Sequence, residues 1–143
     1  MILFLFALAA AAPRSGNAPN AFRNPPACWD GAQNELNECA AKEYRQSDAF
    51  MSAQWSRTSA VMKRIDRDHP PHSNIGQSSK FGALLAGQQA WLQYRLAHCS
   101  IEKSFGGSMA PMLEFICRRD LTRERTKQLK KMMLNPINNE PFY

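Results

Sequence analysis

Beyond its first dozen residues the chain has no apolar run approaching the ~20 residues that cross a bilayer. Nowhere does it show the alternating, β-branched pattern of a half-buried strand. Close cysteine pairs of the kind that hold zinc are missing, since the four cysteines are spaced Cys28-x10-Cys39 and Cys99-x17-Cys117. Gly-x-Ser-x-Gly, His-Glu-x-x-His and a phosphate-cradling glycine loop are all absent. His69 and His72 flank Pro70-Pro71 and do not share a helical face, so with His98 they form no evident ligand set. Paired catalytic carboxylates must face each other across a cleft, and a chain of 143 residues with one small core rarely builds one. The sequence therefore reads as a non-enzyme with no metal and no cofactor.

What is present begins with Met1–Ala12, an uncharged stretch of large apolar residues running into alanines. This fits a signal peptide over residues 1–12, cleaved after Ala9 to Ala12, although no lysine or arginine precedes its apolar part. A buried N-terminal helix is the alternative, and Pro13 with the polar run Arg14–Asn24 argues against it. The expected location is periplasmic or secreted, and the mature chain is expected not to span a membrane. In that setting four cysteines imply two disulfides. Cys28 is not a lipid-attachment cysteine, because the polar Asn24-Pro25-Pro26-Ala27 precedes it.

Residues 13–29 form an irregular leader, and a single helical domain extends over residues 28–134. Leu36, Cys39, Ala40, Tyr44, Met51, Trp55, Met62 and Ile65 draw an apolar stripe along one long helix starting near Asp30. His69-Pro70-Pro71-His72 stops it. Ser79 is a plausible N-cap for a second helix, with Phe81, Leu84, Leu85, Gln88, Trp91, Leu92, Arg95 and Cys99 on one side. Gly106-Gly107-Ser108 makes the turn into a third helix, where Met112, Leu113, Ile116, Cys117, Leu121, Leu129 and Met132 face inward. Asn135-Pro136 is expected to end it, leaving residues 135–143 as a tail. The fold class is all-α, a small bundle of about three helices stapled by two disulfides. Cys99 and Cys117 lie equidistant from Ser108, at similar heights on an antiparallel pair. The favoured pairing is Cys28–Cys39 with Cys99–Cys117, and the crossed connectivities stay open.

The formal charge is +6, unevenly placed. Residues 30–66 carry five basic and six acidic groups, whereas residues 110–134 carry seven basic and three acidic. Arg118, Arg119, Lys127 and Lys130 are candidates for a basic face toward anionic envelope polymer. Nucleic acid is not an expected partner of an exported chain.

The densest segment is Gln88-x-x-Trp91-x-x-Tyr94-Arg95-x-x-x-Cys99, which sets an arginine among large aromatics. Arg95 is either an internal clamp, through Glu35, Glu38, Glu43 or Asp120, or a contact residue for a partner. Together with Cys28, Glu35-Leu36-Asn37-Glu38-Cys39-Ala40, Gly107-Ser108 and Cys117-x4-Thr122-x2-Arg125-x3-Leu129, it resembles the LprI-like lysozyme inhibitor family over about residues 28–132. Two departures are Leu96, where the family often has an acid, and the missing lipobox. The resemblance implies a disulfide-stapled helical fold and stoichiometric binding to a lysozyme or another wall-lytic enzyme. Gln88, Trp91, Tyr94, Arg95, Gly107, Ser108, Thr122 and Arg125 are its motif residues, structural or binding. Common lysozymes are basic, so a contact would need a local acidic or polar loop. Asp66–Ser79 and Ser104–Met109 are the candidates. The alternative is an envelope adaptor that binds anionic wall or lipid surfaces through the basic third helix.

Overall fold

A computed structural model describes Cys28, residues 30–71 and residues 78–138. The expected signal peptide over residues 1–12 and most of the expected leader lie outside the described residues, as does His72. Among the described residues there is no strand. The chain folds into α1 (Gln33–Asp68), α2 (Lys80–Ser100), a single turn α3 (Glu102–Phe105), a 3₁₀ turn (Gly107–Met109) and α4 (Ala110–Asn138). No described helix is long and apolar enough to cross a membrane.

The boundaries have local causes. Gly31 sits at φ 130°, a backbone conformation that keeps the helix from starting at Asp30. The Glu35 carboxylate then accepts the Ala32 N–H at 3.1 Å, capping the first turn. α1 stops one residue short of His69, whose N–H still reaches the Ile65 carbonyl at 2.8 Å before Pro70. Ser79 caps α2 as its sequence position suggests, its hydroxyl accepting the Gly82 N–H at 2.9 Å. Asp66 adds a second cap from the neighbouring helix, accepting the Lys80 and Phe81 N–H groups at 2.8 and 2.9 Å. The Phe81 N–H above all, with the Lys80 N–H and the Lys80 charge, pulls the Asp66 carboxyl below its ordinary pKa against an opposing effect of burial. At Gly106 a side chain would lie 2.6 Å from the Ala110 backbone, so the turn into α4 closes only with glycine there.

α4 continues through Asn135-Pro136, where the sequence pattern ends it. Tertiary packing overrides the proline signal, with Asn135 almost fully buried where the pattern would end the helix.

The three long helices run up, down and up. Glu43 meets Arg119 and Thr58 meets the Leu129 carbonyl, so α1 and α4 are parallel. Asp48 meets Arg95 and Asp66 meets Phe81, so α2 is antiparallel to both. Met51, Met62, Leu84 and Leu129 form the apolar core, packed by Trp55, Ile65, Phe81, Trp91, Leu92 and Met132. Burying each such side chain contributes roughly 1.5–3 kcal/mol. Leu85, read from the sequence as inward-facing, is 37 % exposed. Cys28 is bonded to Cys39 and Cys99 to Cys117, with Cα separations of 5.5 and 5.6 Å. The favoured pairing is the one present.

Candidate functional site

Gln88, Trp91 and Arg95 recur on α2 at the spacing that puts them on one face, and that face meets α1 and α4. Arg95 Nη1 donates to Asp48 Oδ1 at 2.6 Å and to Thr122 Oγ1 at 2.7 Å, tying all three long helices together. The Thr122 hydroxyl, fully buried, donates onward to the Arg118 carbonyl at 2.6 Å. Arg95 also lies 5.3 Å from the Tyr44 ring centroid and 5.0 Å from that of Trp91, within cation–π range.

Arg125 approaches the same indole at 5.9 Å. Its Nε donates to Gln88 Oε1 at 2.9 Å and its Nη1 to Gln128 Oε1 at 3.1 Å. Both acceptors are neutral. Burial without a carboxylate lowers the Arg125 pKa from the ordinary arginine value. Arg119 behaves in the opposite way. Burial would depress it, but hydrogen bonds to Asp120 and Glu43 outweigh that and raise its pKa. Glu114, also buried, is held by Arg118 and by Lys103 at 3.0 Å.

Five of the motif residues therefore converge: Gln88, Trp91, Arg95, Thr122 and Arg125 form one polar-aromatic layer. Tyr94 does not join them, being half exposed and stacked on His98 at 5.2 Å. Gly107 and Ser108 lie in the turn, where the Ser108 carbonyl accepts from Asn37 at 3.5 Å. The clamp reading of Arg95 holds in kind, but its partner is Asp48 rather than Glu35, Glu38, Glu43 or Asp120. Asp48 sits on the α1 stripe, one turn after Tyr44 and one before Met51, and a carboxylate within an apolar stripe was the available signal.

The basic face needs correction. Arg118 and Lys127 are nine residues apart, about 180° around a helix, and cannot share a face. Arg119 is buried against Glu43 and Arg118 is paired with Glu114, leaving Lys127 and Lys130 as the exposed cations of that set. Among the described residues no group of three or more His, Cys, Asp or Glu side chains could hold a metal ion.

The bundle also sorts charge along its axis, which the sequence order conceals. One end joins residues 30–43 to residues 101–114, with six carboxylates against Lys42 and Lys103, net −4. The other end joins residues 54–68, Lys80 and residues 123–134, with ten basic groups against three acids, net +7. At the acidic end Phe105 is 81 % exposed, with Ile101 one turn before it and Met109 just after, both also exposed.

These features define a small disulfide-stapled helical protein with an internal arginine–tryptophan layer and a polarised surface. Residues 28–129 match the sequence profile of the family described as Lysozyme inhibitor LprI, and the chain belongs to that family. It is also 34 % identical, over 122 residues, to an uncharacterized protein of Rhizobium meliloti (strain 1021), covering 83 % of this chain and 87 % of that one. No solved structure matches the chain. The family carries the description of a lysozyme inhibitor, a non-enzymatic class.

Proposed function

We propose that the chain is exported and inhibits a lysozyme or related wall-lytic enzyme by one-to-one binding through its acidic end. The carrying observation is Phe105, a large exposed aromatic on a turn braced by the Cys99–Cys117 bridge. Aromatic anchors on rigid supports dominate binding energy at protein interfaces. With Glu43 and Glu114 ion-paired to Arg119 and Arg118, it is Asp30, Glu35, Glu38 and Glu102 at that end that supply a local negative field for steering toward a basic enzyme, despite the chain's overall +6. Of the two loops considered from the sequence, this favours Ser104–Met109. Two disulfides support an oxidising compartment, periplasmic or secreted.

The test is a wall-lysis assay with oxidised protein titrated against a panel of lysozymes. Saturable inhibition at equimolar ratio is expected, displaced by chitooligosaccharide. Phe105→Ala should weaken it about 30-fold, the equivalent of a hot-spot residue, with an unchanged circular dichroism spectrum. No inhibition at large molar excess, or full inhibition by Phe105→Ala, would reject this reading. The opposite end, with exposed Lys127, Lys130 and Lys131, supports a second reading, contact with anionic wall or lipid polymer that weakens as salt rises.

A further inference from the structure

A groove of about 450 Å³ opens between α1, α2 and α4 in the basic half of the bundle. Its walls are Met62, Leu84, Gly87 and Met132, with Lys80 toward one end of the α2 wall and Arg125 from α4. Lys80 and Gly87 are separated by about 10 Å of helix rise. The volume falls within the ~300–1,000 Å³ typical of small-molecule sites.

Two properties say what would occupy it. First, no carboxylate lines the groove, while two cations do. Arg125 differs here from the other buried arginines, because Arg95 has Asp48 and Arg119 has Glu43 and Asp120. Arg125 has the amide oxygens of Gln88 and Gln128 and the face of Trp91, and makes no ion pair among the described residues. A buried guanidinium without a counter-charge is unfavourable, and its depressed pKa reflects the same deficit. Second, the rest of the wall is apolar, including two methionines whose flexible thioethers adapt to varied shapes. Gly87 presents no side chain to the groove, and a side-chain carbon built there meets nothing within 4 Å, so there is open space beside it for a larger residue to occupy.

We propose that this groove binds a single-chain anionic amphiphile, its acidic head paired with Arg125 and its alkyl tail lying along Met62, Leu84 and Met132. The head supplies the missing counter-charge, and the tail covers the exposed Ala83 and half-buried Met132 over a floor formed by the nearly buried Met62 and Leu84. The assignment stands independently of lysozyme inhibition.

The experiment is calorimetric titration of the full oxidised chain with decanoate, decyl phosphate, decanol and decyltrimethylammonium, each below its micelle concentration. Either anion should bind saturably at one per chain, and the tighter of the two identifies the head group. Decanol should bind at least about tenfold more weakly, because a charge-assisted contact is lost, and the cationic amphiphile should not bind. Gly87→Leu should abolish binding by filling the groove, while the helix gains propensity and the thermal midpoint does not fall. Arg125→Gln should reduce anion affinity to that of decanol. Absence of anion binding, equal affinity for decanoate and decanol, or retained affinity in Gly87→Leu would each overturn the assignment. If Arg125→Gln does not fold, the probe series and Gly87→Leu still decide it.

Discussion

Removing Asp48 should destabilise the protein more than removing the charge of Arg95, although the two form one ion pair. The asymmetry follows from where each sits. The Arg95 side chain is 7 % exposed, whereas that of Asp48 is 38 % exposed. Asp48→Ala therefore leaves a guanidinium buried with no carboxylate, and stranding one partner of a buried pair costs about 3–5 kcal/mol. The rings of Tyr44 and Trp91 remain and place the effect near the lower figure. Arg95→Met keeps the stem packed and frees an Asp48 carboxylate that can hydrate. Thr122 then loses one bond but retains its bond to the Arg118 carbonyl. The lost charge-assisted bonds amount to about 1.5–3 kcal/mol, partly offset because no cation is left to desolvate. For a domain whose whole stability is about 5–15 kcal/mol, either change is large. Urea unfolding with the disulfides intact reads the difference. With a slope of about 2 kcal/mol/M, Asp48→Ala should lower the midpoint by about 1.5–2 M and Arg95→Met by clearly less. A midpoint for Arg95→Met at or below that of Asp48→Ala would refute the reasoning.

Three further outcomes are expected. Replacing Cys99 and Cys117 together by alanine should cost about 3 kcal/mol, the chain-entropy value for a loop of 18 residues, measured by the same unfolding curve. Asp66→Ala should destabilise at neutral pH and converge with the parent in acid. Its folded pKa is depressed by the α2 N–H groups, so its contribution is fully present above the unfolded carboxyl value of 3.8 and is lost as pH falls from there through the lower folded value. Thermal midpoints from pH 7 down to pH 2 test this, and a difference constant with pH would count against the cap. Salt should separate the two ends of the bundle. Retention on anionic vesicles should fall steeply between low and physiological ionic strength in the parent, and a Lys127→Gln/Lys130→Gln variant should be held weakly at both.

Much of the fold is legible in the residue order because its signals are local. The α1 stripe, the Pro70-Pro71 stop, the Ser79 cap and the position of Ser108 midway between Cys99 and Cys117 each act within a few turns. The end of α4 was not legible, since Pro136 gives a local stop signal and the packing of Asn135 opposes it. Among site residues, the clustering of Gln88, Trp91 and Arg95 follows from helical spacing. The choice of Asp48 over Glu43 does not, because it depends on how far α1 is rotated about its own axis. Adjacent Arg118 and Arg119 point about 100° apart, so one serves Glu114 and the other Glu43. The acidic and basic ends were hidden because each assembles segments that lie tens of residues apart.

The polar layer also bears on how the helices are aligned. A bundle lined only with leucines tolerates sliding one helix past another by a turn, since every position offers a similar neighbour. In this protein a slide of α4 along α1 by about 5.4 Å would part Arg119 from Glu43, and Thr122 from Arg95, and would leave the Thr58 hydroxyl without the Leu129 carbonyl. Each of these groups keeps a partner nearer its own position, but one motion removes three interhelical hydrogen bonds at buried side chains, so the competing alignment is penalised at several points together. Charge in the interior thus acts as a vernier, admitting a single setting of three helices that the apolar contacts alone would leave ambiguous.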